Sequence, residues 1–183
     1  MSKRELGHWT VESETELFDA SPFIKVSAQR IALPDGRVVD NFYQIVMPDF
    51  ASIFVETADD RIAMLRCYRH GARRVCLTTP GGHLSPGEAP LEAARRELLE
   101  ETGYEAAHWQ SLGSFITNAN HRCQMGHFFR ATGCRAVAPA DSGDLEEIEI
   151  VLMSRPEVLA ALRAGEFPFV SQVALLGLAL GSL

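Results

Sequence analysis

Residues 82–104, GHLSPGEAPLEAARRELLEETGY, constrain the fold more than any other part of the chain. Pro90 suits the first turn of a helix, where its missing N–H leaves no hydrogen bond unmade, and Gly103 suits the position just after the last turn. Between them, three apolar residues fall on one stripe at helical spacing: Leu91, Ala94 and Leu98. The sequence therefore predicts a helix between Pro90 and Gly103 with one face buried.

The last turn of this helix gathers three glutamates, Glu97, Glu100 and Glu101, where the helix dipole disfavours negative charge. Glu100 can pair with Arg96, in an i,i+4 ladder that also includes Glu92. Glu97 and Glu101 have no basic residue three or four positions away on the helix. Because carboxylate oxygens on one rigid face suit Mg²⁺ or Mn²⁺, we interpret them as candidate metal ligands. The alternative is an ordinary solvated, charged helix face.

The loop before the helix strengthens the metal interpretation. Pro80-Gly81-Gly82 ends a predicted strand, and Ser85-Pro86-Gly87 turns into the helix. Glycines allow close approach of the backbone, so a main-chain carbonyl can join a metal site. Such a loop alone predicts only a turn; next to a carboxylate helix at fixed spacing it indicates a site.

The rest of the chain predicts a mixed sheet covered by helices. Residues 23–33 and 37–47 are rich in β-branched and aromatic residues and flank the turn Pro34-Asp35-Gly36, which predicts a small antiparallel sheet from about Trp9 to Met47. Further segments predict strands at 51–57, 61–69, 74–80, 109–117, 126–133 and 146–154, an irregular loop at 118–125, and helices at 156–165 and 170–180. We expect an N-terminal β region at 1–48 and a second domain at 49–183.

Charge and cysteine content narrow the class of protein. The net charge of −7 argues against a nucleic-acid binder with a broad basic surface. The four cysteines show no CxxC pairing and favour buried thiols in a reducing cytoplasm. The N-terminus lacks the apolar core of a signal peptide, and the apolar C-terminal run is too short to span a bilayer, so no membrane association is expected.

The loop and helix together resemble the Nudix box, GX5EX7REUXEEXGU. Gly82, Glu88 and residues 96–103 fill every fixed position, and only Tyr104 departs, since an aliphatic residue is usual there. The resemblance implies an α/β/α sandwich around a mixed central sheet. It also implies a hydrolase that uses a divalent metal, Mg²⁺ or Mn²⁺, and water to cleave a nucleoside diphosphate linked to another group.

The same resemblance implies roles for individual residues. Glu97 and Glu101 become the principal metal ligands, Glu100 assists them in metal binding and catalysis, and the Gly81 carbonyl is a backbone ligand. Four further residues would hold the geometry of loop and helix: Gly82, Glu88, Arg96 and Gly103.

Beyond the box, looser similarities along nearly the whole chain resemble the ADP-ribose and ADP-sugar pyrophosphatases. They lie in the N-terminal β region, in LPDGRVVDNFY, in RCYRHGARR and in residues 146–166. This branch implies an ADP-sugar substrate such as ADP-ribose. It also implies a homodimer in which the N-terminal sheets help build the partner's substrate site. Two departures weaken the case for ADP-ribose itself: Thr78 stands where a glutamate is common, and the loop after the box lacks a frequent proline.

The branch also implies substrate contacts and a general base. The candidate phosphate or ribose contacts are Arg66, Arg69 and Arg122, together with Arg73 and Arg74; the alternative role for most of these arginines is surface solubility. A general base from a late loop is expected among Asp141, Asp144, Glu146 and Glu147, with the two glutamates preferred. The sequence leaves open a GDP-sugar or nucleoside triphosphate pyrophosphohydrolase. It also leaves open a Nudix-fold ligand-binding regulator that has lost catalysis.

Overall fold

The structure of the protein, a computed structural model, describes residues 7–143 and 147–181. Two compact units emerge. The first comprises the residues up to Pro48 together with Ile116–Met125, and the second comprises Asp49–Phe115 and the residues from Gly126 onward.

Three antiparallel strands build most of the first unit: β1 (Thr10–Ala20), β2 (Ile24–Ala32) and β3 (Val38–Val46). The turn between β2 and β3 follows from its sequence. The Asp35 carboxylate accepts the backbone N–H of Arg37 at 3.1 Å, and Gly36 adopts a φ of 86°, which glycine accommodates without strain.

Two long strands, β8 (His108–Asn118) and β9 (Arg122–Ala136), contribute residues to both units and pair with each other. The predicted irregular loop at 118–125 is therefore wrong in extent, because only residues 119–121 separate the strands. Arg122 and Cys123 begin β9 with positive φ angles of 59° and 60°, and they pair in parallel with the end of β3. At residues 118–125, polar residues and this irregular start of β9 hide the alternation of apolar and polar residues that would predict a strand.

The second unit is built on a mixed sheet. Its central strand, β4 (Phe50–Thr57), runs parallel to β9 and antiparallel to β5 (Ile62–Arg69). β5 also pairs antiparallel with β6 (Arg74–Thr78) and β10 (Glu149–Met153). The short β7 (Tyr104–Glu105) pairs antiparallel with the end of β9. Most of β4 is buried because helices cover both faces of the strand.

Helices cover the two faces of this sheet. Alternate residues of a strand point to opposite faces. Ile53 accordingly packs in the core cluster beneath α1 (Pro90–Thr102), and Phe54 packs in the cluster beneath α2 (Arg155–Arg163) and α3 (Val170–Ala179). The predicted α/β/α sandwich with a mixed sheet and an N-terminal antiparallel region is confirmed. Within the described residues, none of the helices has the length and apolar character needed to cross a bilayer.

Candidate active site

Helix α1 buries a carboxylate together with its apolar face. Its buried residues are Ala93, Ala94, Leu98, Glu101 and Thr102. The helix ends at Gly103, which adopts a left-handed conformation with a φ of 69° and donates its N–H to the Leu99 carbonyl at 2.7 Å. A Cβ at Gly103 would clash with the Ala138 carbonyl, so both conformation and space require glycine there.

Glu101 is 3% exposed and is held from two sides. The Gly81 N–H donates to Glu101 Oε2 at 2.7 Å, and Arg69 Nη2 lies 3.9 Å from Oε1. A carboxylate this deeply buried is costly unless it is paired and hydrogen-bonded. Strand β5 and the loop before α1 therefore both orient Glu101.

Glu97 has a basic partner that the spacing analysis overlooked. Arg96 Nη1 lies 2.7 Å from Glu97 Oε1 and 3.0 Å from Glu100 Oε2. The inference from spacing along the helix, which left Glu97 and Glu101 without a basic partner, is therefore wrong. Adjacent residues on a helix do not normally face each other, but the long Arg96 side chain folds back to Glu97, and Arg69 reaches Glu101 from another element. Two guanidinium groups, those of Arg96 and Arg69, are thus among the partners of these carboxylates.

The loop before α1 fits closely around these carboxylates. A Cβ at Gly82 would lie 2.5 Å from both Cδ and Oε1 of Glu97, and a Cβ at Gly81 would clash with the Ala51 carbonyl. Gly81 also has a φ of 143°. The two glycines are needed here because the backbone passes directly beside a carboxylate and a neighbouring strand.

Arg96 ties the loop to the helix through Glu88. Its Nε and Nη2 atoms donate to the two Glu88 oxygens at 2.9 and 3.0 Å, and Nη2 also donates to the His83 carbonyl at 3.1 Å. The hydrogen bonds from Arg96 and from the Ser85 N–H hold the pKa of Glu88 below its usual value. The hydrogen bonds that Arg96 donates to Glu88, and then to Glu97 and Glu100, raise the pKa of Arg96.

The predicted ladder from Glu92 through Arg96 to Glu100 is wrong in its first step. Glu92 pairs with Arg95 at 3.0 Å, while Arg96 turns toward Glu88. Arg96 is drawn away because Glu88 offers two oxygens in the planar geometry that a guanidinium matches.

The candidate general bases lie in different places. Asp141 and Glu101 line one cavity of about 450 Å³, and the Asp141 N–H donates to the Glu100 carbonyl at 2.8 Å. Glu147 lines a separate cavity of about 560 Å³ together with Arg66. Glu146 and Asp144 lie outside the described residues.

The predicted substrate arginines do not converge either. Arg66 and Arg69 lie three residues apart on β5 and therefore point to opposite faces of the sheet. Arg69 contacts Glu101, whereas Arg66 lies 3.9 Å from Glu149 on the neighbouring strand β10. Arg122 belongs to the first unit, where it is exposed. Sequence reasoning could have separated Arg66 from Arg69 by the two-residue period of a strand.

The donor set at the end of α1 suits a hard divalent cation by its chemistry. Glu97, Glu100 and Glu101 supply carboxylate oxygens, the ligands that Mg²⁺ and Mn²⁺ prefer. Among residues 7–143 and 147–181, no group of three or more His, Cys, Asp or Glu side chains is already arranged to hold a metal ion. The carboxylates therefore fit a divalent cation by their chemistry, and their partners in this structure include Arg96, Arg69 and the Gly81 N–H.

Comparisons with known proteins identify the family of this chain. A family model described as NUDIX domain matches residues 48–173. The chain is 29% identical over 171 residues to an ADP-ribose pyrophosphatase of Mycobacterium tuberculosis, covering 92% of this chain and 80% of the relative. It is 28% identical over 152 residues to a methanol dehydrogenase activator of Bacillus methanolicus, covering 82% and 81%.

The fold is also that of a solved protein. The crystal structure of an ADP compounds hydrolase aligns with a TM-score of 0.83 at 20% identity, covering 98% of this chain and 96% of that one. At this identity the likeness shows the fold. With the family model matching most of the chain and the box at the loop–helix junction, the chain belongs to the Nudix family of pyrophosphohydrolases.

Proposed function

We propose that the protein is a metal-dependent hydrolase that cleaves the pyrophosphate bond of a nucleoside diphosphate linked to another moiety, by attack of water on phosphorus. The proposed substrate class is the ADP-sugars, with ADP-ribose as the first candidate. The similarity to an ADP-ribose pyrophosphatase over 92% of the chain supports this substrate class. The observation that carries the chemistry is the buried Glu101 carboxylate, held by Gly81 and Arg69 at the wall of a cavity.

Each box residue has a proposed task. Glu97, Glu101, Glu100 and the Gly81 carbonyl would hold Mg²⁺ or Mn²⁺, which when bound neutralises phosphate oxygens and acidifies the attacking water. The Gly81 N–H and Arg69 fix the orientation of Glu101. Arg96 holds the loop against the helix because its guanidinium pairs with Glu88 in the loop and with Glu97 on the helix.

Substrate contacts and the general base are further proposals. Arg69 has the best support as a phosphate contact, because its guanidinium lies beside the Glu101 carboxylate. Arg66 and Arg122 stay candidate contacts to the phosphate or ribose. Glu146 and Glu147 stay candidate bases. Asp141, already one of the four candidates from sequence, becomes the stronger candidate, because it lines the same cavity as Glu101.

A substrate panel tests the proposal. Purified protein with Mg²⁺ is offered ADP-ribose, ADP-glucose, GDP-mannose and nucleoside triphosphates, ranked by kcat/KM. We expect release of AMP from the ADP-sugars, loss of turnover in EDTA, and recovery when Mg²⁺ or Mn²⁺ is added. A preference for GDP-mannose or a triphosphate would overturn the substrate class, and turnover unaffected by EDTA would overturn the metal dependence.

A second candidate is a regulator with a Nudix fold. The similarity to a methanol dehydrogenase activator over 82% of the chain favours this candidate. All box carboxylates are present, which favours catalysis instead. The regulator would bind a nucleotide in calorimetry and yet release no nucleoside monophosphate in the panel above.

We also propose a cytoplasmic homodimer formed through the N-terminal β region at 1–48, with residues 49–183 as the hydrolase domain. Large apolar side chains of this region are exposed, among them Trp9, Leu17, Phe18 and Phe23, the last to 74%. Large apolar side chains left exposed on one region of a protein favour association through that region. Light scattering should give twice the mass of one chain, and Phe18→Asp should give a monomer. Val170→Asp, at an exposed site in the second unit, serves as the control. Dimers that persist in Phe18→Asp would contradict the proposed interface.

The free cysteines support the proposed cytoplasmic location.

A further inference from the structure

Two buried free cysteines lie directly opposite each other on the antiparallel strands β5 and β6. The register pairs Cys67 with Cys76, and their side chains are 2% and 5% exposed. Opposed residues of an antiparallel pair have side chains on the same face of the sheet. The two thiols are therefore direct cross-strand neighbours.

The register places this pair within reach of a disulfide. Directly opposed Cα atoms in an antiparallel pair lie about 4.5 to 5.5 Å apart, and disulfides span Cα separations of about 4.4 to 6.8 Å. The Cys67 Sγ also approaches Thr78 Oγ1, on β6, at 3.8 Å, so the Cys67 side chain leans toward the strand that carries Cys76. The register therefore brings the two cysteines to a backbone separation that a disulfide can span.

The pair stands beside the candidate active site. Cys67 precedes Arg69 by two residues on β5 and therefore shares its face of the sheet. Arg69 is the residue on β5 that approaches Glu101. Strand β6 leads through Thr79 and Pro80 to Gly81, and the Gly81 N–H donates to Glu101. A bond between the strands would act on both connections to the Glu101 carboxylate.

We propose that Cys67 and Cys76 form a reversible disulfide when the protein meets hydrogen peroxide. In the first step the Cys67 thiolate attacks one peroxide oxygen, the O–O bond breaks, and a sulfenic acid and a hydroxide form. In the second step the Cys76 sulfur attacks the sulfenic sulfur, the S–S bond forms, and hydroxide leaves. The two thiols supply two electrons and two protons, and one peroxide becomes two waters.

The order of the two steps follows from the environment of Cys76. Burial, and then the neighbouring Cys67, raise the pKa of the Cys76 thiol, so Cys76 is a poor first nucleophile. We therefore assign it the second step, in which its attack is intramolecular and favoured by proximity.

Peptide mapping tests the cross-link without any activity assay. Reduced protein is treated with hydrogen peroxide, free thiols are blocked with N-ethylmaleimide, and trypsin is applied without reductant. Trypsin cuts after Arg66, Arg69, Arg74 and Arg95, which places the two cysteines in separate peptides, 67–69 and 75–95. We expect most molecules to yield these two peptides joined, with the joined species lost after dithiothreitol.

Controls come from the other two cysteines. Cys134→Ser should cross-link as the wild type does; burial raises the pKa of Cys134 to about 12. Cys76→Ser should abolish the joined peptide. Cys123, half-buried in peptide 123–130, reports that peroxide reached the protein. The proposal is overturned if Cys123 oxidises while peptides 67–69 and 75–95 stay separate, or if Cys67 pairs with another cysteine.

A second measurement asks whether the disulfide regulates the site, and this part rests on the proposed function. Hydrolysis of ADP-ribose should fall several-fold in the cross-linked protein, recover with dithiothreitol, and be insensitive to peroxide in Cys76→Ser. Unchanged hydrolysis in fully cross-linked protein would overturn the regulation. If the reduced protein hydrolyses nothing, the proposed function fails, and peptide mapping still decides whether the disulfide forms.

Discussion

Gly82 packs directly against the carboxylate of Glu97, so closely that no side chain fits at Gly82. A Cβ built there would lie 2.5 Å from both Cδ and Oε1 of Glu97. The φ of Gly82 is not in the left-handed region, so the requirement for glycine is one of space. The backbone of the loop thus sets the position of a carboxylate on the helix.

Gly82→Ala should displace the Glu97 carboxylate and lower kcat. A displacement of about 1 Å at a reacting centre can cost about 100-fold in rate, and we expect a loss of about 10- to 100-fold in steady-state hydrolysis of ADP-ribose. Gly71→Ala is the matched control, because the nearest atom to its Cβ would be Phe169 Cε1 at 4.0 Å. Equal rates for the two variants would contradict the steric role of Gly82.

Glu101→Gln should cut kcat by about 100-fold or more while the fold persists. The amide oxygen can still accept the Gly81 N–H, but the negative charge that faces Arg69 and a cation is lost. Circular dichroism and Mg²⁺ titration calorimetry should show an intact fold with weakened cation binding. Glu92→Gln, at an exposed position in the first turn of the same helix, should retain activity. Full activity in Glu101→Gln would contradict the assignment of Glu101 as a ligand of the divalent cation.

Glu88→Gln should destabilise the protein at neutral pH by about 1 to 2 kcal/mol, through loss of a charge-assisted pair with Arg96. The folded pKa of Glu88 lies below its ordinary value of 4.5, so the unfolded chain binds the proton more tightly. The stabilisation by Glu88 is therefore present above about pH 4.5 and lost as pH falls through the folded pKa.

Urea unfolding at a series of pH values measures this dependence. The gap in unfolding free energy between wild type and Glu88→Gln should narrow as the pH falls below 4.5. Glu105→Gln replaces an exposed glutamate on β7 and serves as the control. Its difference in unfolding free energy from the wild type should not narrow as the pH falls below 4.5. A constant gap at every pH would contradict the role of the ionised pair.

Asp141→Asn should lower kcat more than Glu147→Gln does. Asp141 lines the cavity that contains Glu101, whereas Glu147 lines the cavity with Arg66. A group within reach of the attacking water contributes typically about 100- to 10,000-fold when it acts as base. The two variants are compared by kcat and KM for ADP-ribose. A larger loss of kcat in Glu147→Gln would favour Glu147, one of the two glutamates preferred from sequence, as the general base.

Local features of α1 could be predicted because their causes are local. Pro90 begins the helix and Gly103 follows its end, as expected from the missing N–H of proline and the left-handed conformation open to glycine. The predicted strands of the N-terminal region likewise lie within one or two residues of β2 and β3. Strand β8 also lies within one residue of its predicted limits, but the start of β9 was missed because positive φ angles at Arg122 and Cys123 leave no signal in residue type.

The amino-acid sequence alone determined the loop and helix of the box, the family, and the carboxylates that define the candidate site, because these depend on residue type at short, fixed spacing. Only the tertiary structure decided which charged side chains meet. Arg69 contacts Glu101, which lies thirty-two positions later in the chain, and Arg96 pairs with Glu88 instead of Glu92. The tertiary structure also separated Asp141 from Glu147 and brought Cys67 opposite Cys76. The physical reason is that electrostatic partners and neighbours across a sheet depend on strand register and side-chain reach, which no spacing along the chain encodes.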